Sequence, residues 1–408
     1  MDRALESPPA ALLRHPPFAF LWSSRVLANV GSQMLGVAVG WQLYALTGSA
    51  LDLGLVGLAE FAPIVALTLV VGQVADRYDR RLIAASCQMV NAGAAAALVL
   101  GTLGGWQSKT SILITVAIIG SARAFESPTM SALVPEVVPR GRVARAMAWL
   151  VSATQSARIV GPALGGFLSA LGAATAYSTA GALFVLAGAS AAAIRRQRVA
   201  RPRPPVTLET VFSGIAFIRN RRVLLGTMSL DLFAVLLGGA TALLPVYARD
   251  ILGAGPTGLG LLRAAPAVGA LLTSIVLARY PLERGIGRTL FRAVMVFGAA
   301  TIVFGLSTSL SLSLVALSVL GAADVVSVVI RASLVQLRTP DEMRGRVSAV
   351  HSLFTGTSNQ LGAFESGLVA SMVGVVPSVL IGGLGTIAVA ALWMVLFPEL
   401  RRIRAYET

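Results

Sequence analysis

Ionisable side chains lie inside long apolar stretches of this sequence, where a membrane-spanning helix would bury them. Arg123 and Glu126 fall near the middle of one apolar stretch, and Arg158 falls near the middle of the next. Asp231 and Asp324 lie in two apolar stretches of the second half. A charge at the bilayer centre costs at least about 2.5–3.5 kcal/mol, so it usually faces a cavity or a partner. Because burial favours the neutral form of a carboxyl group, we predict that Glu126, followed by Asp324 and Asp231, takes up and releases a proton.

A structural ion pair is the alternative interpretation for each of these residues, because charges in membrane helices also pair with one another. Arg158, for example, could pair with Glu126 and tune its proton affinity. The other charged residues inside apolar stretches are Arg25, Glu60, Arg263, Arg331 and Glu365.

The apolar stretches that carry these residues are long enough to be membrane spans. The chain of 408 residues is 56% hydrophobic and only 12% charged, whereas a soluble domain carries about 25% charged residues. About 20 apolar residues cross a bilayer as a helix. The sequence therefore predicts an all-α polytopic membrane protein with twelve transmembrane helices, at about 18–46, 51–75, 82–104, 110–135, 146–170, 174–194, 223–248, 255–279, 289–308, 311–337, 346–373 and 376–397.

A weak internal repeat divides these helices into two sets of six. Pro139 and Arg145 of the first half recur at the same spacing as Pro340 and Arg346 of the second half, and duplicated bundles are common in transporters. We predict an N-terminal lead (1–17), a first six-helix bundle (18–195), a basic and proline-bearing linker (196–222), a second six-helix bundle (223–398) and a C-terminal tail (399–408).

The net charge of +15 follows the predicted topology. Most of the 33 lysines and arginines fall in segments that are cytoplasmic if the N-terminus lies inside the cell, as the positive-inside rule requires. This distribution argues against nucleic-acid binding and predicts that both termini are cytoplasmic.

The connection between the second and third predicted helices contains Gly-Gln-Val-Ala-Asp-Arg-Tyr-Asp-Arg-Arg at 72–81. This segment resembles the loop signature of the major facilitator superfamily. The resemblance implies a latch on the cytoplasmic side, made of Gly72, Asp76, Arg77, Arg80 and Arg81. A carboxylate such as Asp76 is favoured at the N-terminus of an opposing helix. For Arg80 and Arg81, a charge that only sets topology is the competing interpretation.

The fifth predicted helix contains Gly161, Pro162, Gly165 and Gly166. Small residues of this kind allow close packing of membrane helices, and proline allows a kink. Generic packing is one interpretation. The pattern is also similar to a glycine-proline signature found mostly in proton-exchanging exporters of the same superfamily, and this similarity favours export over import.

Local phrases narrow the resemblance further. Trp-Gln-Leu-Tyr-Ala-Leu-Thr-Gly-Ser at 41–49 and Ala-Phe-Glu-Ser-Pro-Thr at 124–129 resemble the enterobactin-exporter-like branch, which includes macrolide-type efflux proteins. The resemblance implies a proton-driven exporter of small amphiphilic molecules in a bacterial inner membrane, working by alternating access. In this fold, helices one, four, seven and ten line the central cavity. The resemblance therefore implies Arg123, Glu126, Asp231 and Asp324 as cavity candidates, and we add Asn29, Gln33 and Arg158 to them.

Other function classes find little support in the sequence. Cys87 is the only cysteine and there are two histidines, so neither an intrachain disulfide nor a zinc site is expected. No phosphate-binding loop or hydrolase motif is present, and we predict a non-enzyme without cofactor or metal. The expected partners are a small-molecule substrate, protons and membrane lipids, and the expected state is a monomer. A metabolite or lipid-like importer and a transport-inactive scaffold or sensor remain alternatives.

Overall fold

The computed structural model describes residues 12–195 and 208–406. Residues 1–11 of the predicted lead, 196–207 of the linker and 407–408 of the tail lie outside the described residues. The described part is helical and contains no strand, which confirms the all-α prediction. The first six helices are α1 (Pro16–Thr47), α2 (Ala50–Arg77), α3 (Arg80–Leu103), α4 (Lys109–Val137), α5 (Val143–Ala170) and α6 (Ala173–Ala192).

The rest of the described chain begins with a short helix that precedes the second set of long helices. Its elements are α7 (Leu208–Arg219), α8 (Arg222–Leu237), α9 (Leu244–Val246), α10 (Gly255–Arg279), α11 (Ile286–Leu306), α12 (Leu310–Leu337), α13 (Asp341–Val373), α14 (Val375–Leu396) and α15 (Pro398–Arg402).

Nine segments of the described chain are both long enough and apolar enough to cross a membrane. The helices α1, α5 and α13 have the length for a span but are not among these nine. Polar residues inside a membrane helix commonly face a cavity or other helices rather than lipid. A multi-pass membrane protein is therefore established, while the count of twelve spans stays a prediction.

The seventh predicted helix, at about 223–248, lies within one candidate span at Arg222–Ile251, but the helix is interrupted. The helix α8 ends at Leu237, a 3-10 turn follows at Ala240–Leu243, and α9 continues into a π-helical turn at Tyr247–Ile251. Two adjacent glycines, Gly238 and Gly239, lie at the break, and glycine is a poor residue for a helix interior.

The described chain forms two compact units. The first holds residues 12–39 and 62–195, and the second holds Gly40–Phe61 and 208–406. In the first unit, a buried cluster brings together Phe18 and Leu21 of α1 with Leu133 of α4. In the second unit, Leu230 of α8 and Phe291 of α11 pack in another buried cluster. Each unit therefore has its own apolar core.

Candidate transport site

The first unit places one carboxyl group under the influence of two arginines. Glu126 and Arg123 lie one turn apart on α4, and Arg25 comes from α1. The charges of both arginines act on Glu126. Burial favours a neutral carboxyl group and neighbouring positive charges favour an ionised one. These opposing influences are what a group needs if it is to exchange a proton during a transport cycle.

Buried polar side chains lie on the helices next to this group. Gln88 and Asn91 on α3 are 0% and 2% exposed, and Thr129, one turn after Glu126, is 0% exposed. Gln88 is near enough to act on Glu126. Polar atoms of Asn91 and Thr129 make no hydrogen bond with the described residues. Such buried groups are usually satisfied by ordered water, so this interior is suited to hydration.

A cavity of about 250 Å³ opens between α1, α4 and α5 in the same unit. Arg25 lines it, so one arginine both borders the cavity and interacts with the charge of Glu126. The volume is below the range of about 300–1,000 Å³ for pockets that hold whole drug-sized ligands, and it suits one apolar part of such a molecule. The other lining residues include Leu21, Met130, Val134, Leu150 and Gln155.

The pairing of Arg158 with Glu126 stays a prediction. The Arg158 side chain is exposed on α5, and the arginines whose charges act on Glu126 are Arg25 and Arg123. Arg123 is also exposed, whereas Glu126 is half-buried.

The glycines of the fifth predicted helix allow α5 to pack closely against α1. A Cβ atom added at Gly165 would lie 2.8 Å from Met34 Cα, and one added at Gly161 would lie 3.1 Å from the Val30 carbonyl oxygen. The Gln33 side chain, a cavity candidate, packs against Gly161. Small residues at this interface bring the two backbones together. Pro162 and Gly166 are buried in the same helix.

Asn29 is a further cavity candidate on α1. Its side-chain amide donates a hydrogen bond to the Arg25 carbonyl oxygen at 2.7 Å. The amide therefore binds the backbone of its own helix, one turn away, at the residue that lines the cavity.

The second unit contains a buried ion pair between Asp231 of α8 and Arg331 of α12. The Arg331 guanidinium donates a hydrogen bond directly to the Asp231 carboxylate. The Arg331 and Asp231 side chains are only 5% and 8% exposed. Thr355 of α13 donates a second hydrogen bond to Asp231 at 3.3 Å. Arg331 also donates to the Ser327 carbonyl oxygen at 3.3 Å. Direct bonds therefore hold this pair.

Asp324 lies at the edge of the same charge cluster. Its carboxylate is 3.9 Å from an Arg331 nitrogen and is 48% exposed. Together with Ser327 and Arg331, it lines a small cavity between α8, α11 and α12. His351 of α13 is near enough to feel the charges of Asp231 and Arg331. The structure thus brings Asp231 and Asp324 together around one arginine.

The predicted latch is described only in part. The backbones of Gly72 and Asp76 belong to α2, but the Asp76 side chain lies outside the described residues. Arg77 is exposed at the end of α2. The latch between the two halves therefore stays a prediction.

The two remaining arginines of the latch segment bind within the first unit. Arg80 forms an ion pair with Glu136 of α4 at 2.7 Å, and Arg81 forms one with Asp79 at 3.0 Å. Asp79 also caps α3 by accepting a hydrogen bond from the Arg81 backbone. These contacts tie the beginning of α3 to the end of α4.

Sequence reasoning left Arg25, Arg331 and His351 out of the candidate site. The signal for the two arginines was present, because each is a charge inside an apolar stretch and must find a counter-charge or water. Which carboxylate each arginine meets depends on how the helices pack. No comparable signal marks His351, which is one of only two histidines in the chain.

Curated proteins that match this chain over most of its length are transporters. The multidrug efflux pump Tap of Mycobacterium tuberculosis is 28% identical over 369 residues, covering 87% of both chains. The enterobactin exporter EntS of Citrobacter koseri is 27% identical over 400 residues, covering 96% of this chain and 94% of the relative.

Solved structures support the same fold. The POT family transporter PepTSo matches with a TM-score of 0.74 and 12% identity, covering 95% of this chain and 98% of its own. A bacterial homologue of the iron transporter ferroportin matches with a TM-score of 0.71 and 17% identity, covering 96% of this chain and 100% of the homologue's chain. At these identities the likeness shows the fold alone.

The family match extends over residues 7–407 and is described as a transmembrane secretion effector. Together with the relatives, it confirms the resemblance that the loop segment and the local phrases predict. It also confirms that the chain is a multi-pass membrane transporter and not an enzyme. The chain belongs to the transmembrane secretion effector family of the major facilitator superfamily.

Proposed function

We propose that this protein is a proton-coupled antiporter that exports small amphiphilic, siderophore-like or drug-like molecules. It resides in a bacterial inner membrane as a monomer, with twelve spans in two bundles and both termini in the cytoplasm. The names of its relatives, a multidrug efflux pump and an enterobactin exporter, support this direction of transport. Rocking of two halves around a central site is the general mechanism for transporters built from repeats.

The observation that carries the proposal is the position of Arg25. This residue lines the cavity between α1, α4 and α5, and its charge interacts with that of Glu126. While Glu126 is ionised, it provides a counter-charge for Arg25. An apolar group can then fill the cavity at a low cost, because a buried charge is tolerated when it is paired.

Protonation of Glu126 removes that counter-charge. The guanidinium then needs water from the cavity, and an apolar group bound there would exclude that water at a large cost. Proton binding and substrate binding therefore oppose each other. A proton taken up from the outer side drives substrate release there, and proton loss to the cytoplasm restores the site for the next molecule.

The test uses inverted membrane vesicles with an imposed pH gradient and a fluorescent proton reporter. Siderophores, macrolides and dyes are added in turn to wild type, to Glu126→Gln and to Glu365→Gln. The last variant is the matched control, because Glu365 is an intramembrane carboxylate on α13, in the other unit. We expect at least one compound to release protons with wild type and Glu365→Gln, and none with Glu126→Gln.

Two results would contradict the proposal. Proton release by Glu126→Gln at the wild-type rate would remove Glu126 from the coupling path. Export by wild type that is indifferent to the pH gradient would exclude proton antiport altogether. Folding of each variant is checked by size-exclusion chromatography, so that a lost signal reports on transport.

A further inference from the structure

A second cavity lies on the surface of the second unit, between α10, α11 and α12. It has a volume of about 280 Å³. Most of its lining is apolar and includes Val296, Val319, Ala322 and Val326. A single charged side chain, Arg292, also lines it.

The surface around this groove is apolar and exposed. Of its lining residues, Val296 of α11 and Val319 of α12 are 45% and 41% exposed. In a membrane protein such a surface faces lipid acyl chains. The groove is therefore open to the bilayer, and its occupant must be a molecule that the bilayer supplies.

The polar members of the groove lie towards one end. Thr273 lies six residues before the end of α10, and Arg292 lies six residues after the beginning of α11. At a rise of 1.5 Å per residue, each is about 9 Å from its helix end. The valines of the groove lie deeper along the helices. The groove thus has a polar end near the membrane surface and an apolar end nearer the bilayer centre.

The polar end lies on the side where the C-terminal tail docks. The Gly285 and Gly287 backbone amides, at the beginning of α11, donate hydrogen bonds to the Arg404 and Ile403 carbonyl oxygens at 2.7 and 3.0 Å. With a cytoplasmic tail, as proposed above, this end faces the headgroups of the inner leaflet. That leaflet assignment is the only part of the inference that rests on the proposed topology.

The positive charge of Arg292 indicates which kind of lipid the groove binds. The Arg292 side chain is exposed in the groove, and no carboxylate of the described residues forms an ion pair with it. Arg288, one turn earlier on α11, is also exposed. Thr273 and Thr289 add two hydroxyl groups that can donate hydrogen bonds to phosphate oxygens. We propose that this groove binds one anionic phospholipid, with its phosphate at Arg292 and an acyl chain along the apolar lining.

Occupancy of the groove bears on the transport machinery. Ala293 and Ala323 line this groove and also line the small cavity that contains Asp324 and Arg331. A lipid chain packed against these two small side chains therefore restricts movement of α11 and α12 beside the charge cluster. The lipid is expected to stabilise the arrangement of α12 in which Arg331 binds Asp231.

The test measures lipid binding to the purified full-length protein in neutral detergent. Phosphatidylglycerol or phosphatidylcholine is titrated in, and bound lipids are counted by native mass spectrometry. One phosphatidylglycerol should bind wild type at least about fivefold more tightly than phosphatidylcholine, the effect of roughly one basic side chain near a headgroup. Arg292→Gln should lose that preference. Arg195→Gln, which removes an exposed arginine from the first unit, should keep it.

A second variant keeps the proposal testable if Arg292→Gln does not fold. Ala322→Phe fills the groove without changing any charge, so it should lose the bound lipid while Arg292 remains. Equal binding of the two lipids by wild type, or equal loss in Arg195→Gln and Arg292→Gln, would overturn the proposal. So would inorganic phosphate that displaces the lipid completely at millimolar concentration, because the apolar groove would then contribute nothing.

Discussion

The two charge clusters of this transporter use the same residue types in different ways. In the second unit, Asp231 receives hydrogen bonds from Arg331 and Thr355, and its ion pair with Arg331 is almost fully buried. In the first unit, Glu126 interacts with Arg25 and Arg123 through their charges. A carboxylate held by direct bonds must lose both its charge and those bonds on protonation. Protonation of Asp231 would therefore weaken two direct bonds that join α8 to α12 and α13.

The difference separates a structural pair from a coupling group. Arg25 also lines a cavity, so the protonation state of Glu126 is felt where a substrate would bind. Arg331 is buried and lines only a small cavity, and its second carboxylate neighbour, Asp324, is 48% exposed. We therefore infer that Glu126 carries the proton and that Asp231 and Arg331 hold α8, α12 and α13 together.

The largest effect is expected from breaking the buried pair. Arg331→Met leaves the Asp231 charge buried without its partner, and such single replacements cost about 3–5 kcal/mol. The double variant with Asp231→Leu replaces the whole pair by apolar side chains and should recover most of that loss. Thermal unfolding of the purified protein in detergent measures both. Glu126→Gln should change stability by less than about 1 kcal/mol.

Two results would contradict this contrast between the two charge clusters. Were Glu126→Gln to destabilise the protein as much as Arg331→Met, the first cluster would be structural as well. Were the double variant no better than the single one, the cost would come from lost packing at α12 and not from an unpaired charge.

A smaller loss is expected where α1, which carries Arg25, rests on α5. Gly165→Ala places a Cβ atom 2.8 Å from Met34 Cα, and overpacking of this kind typically costs about 1–3 kcal/mol. Gly93→Ala in α3 is the matched control, because a Cβ atom there meets nothing within 4 Å. That variant should be neutral, or more stable by up to about 1 kcal/mol, since alanine favours a helix over glycine. Equal melting temperatures for the two variants would show that the α1–α5 contact is loose.

A transport measurement tests which arginine interacts with Glu126 during proton coupling. We expect Arg25→Gln to slow proton-coupled export about tenfold, the equivalent of about 1.4 kcal/mol, because it removes a charge that acts on Glu126 and lines the cavity. Arg158→Gln should stay within about twofold of wild type. Vesicle transport with the proton reporter measures both variants. The opposite ranking would favour the partner that the sequence suggests and would contradict the role of Arg25.

Features of this protein that carry a large free-energy cost, such as a buried charge, can be predicted from its sequence. Long apolar runs predict the helices, and charges such as Glu126 and Asp231 inside those runs are recognisable because burying them is expensive. Pairing is not visible, because Arg25 and Glu126 meet only through the packing of α1 and α4. The break after α8 is also a local event at Gly238 that the overall hydropathy of the segment hides, since 222–251 still qualifies as one apolar span.

The smallest effect is expected at an exposed ion pair, and it shows that burial decides the outcome. Glu399 pairs with Arg222 at 3.2 Å, with side chains 46% and 72% exposed, whereas Glu136 pairs with Arg80 at 2.7 Å, with side chains 3% and 14% exposed. Solvated pairs contribute about 0–1 kcal/mol, and hydrogen bonds to buried charged groups contribute about 1.5–3 kcal/mol. Thermal unfolding should therefore register Glu136→Gln clearly and Glu399→Gln by less than about 0.5 kcal/mol. A large loss of stability in Glu399→Gln would mean that the contact between α8 and α15 stabilises the tail by more than its charges. Burial would then not decide how much an ion pair contributes to stability in this protein.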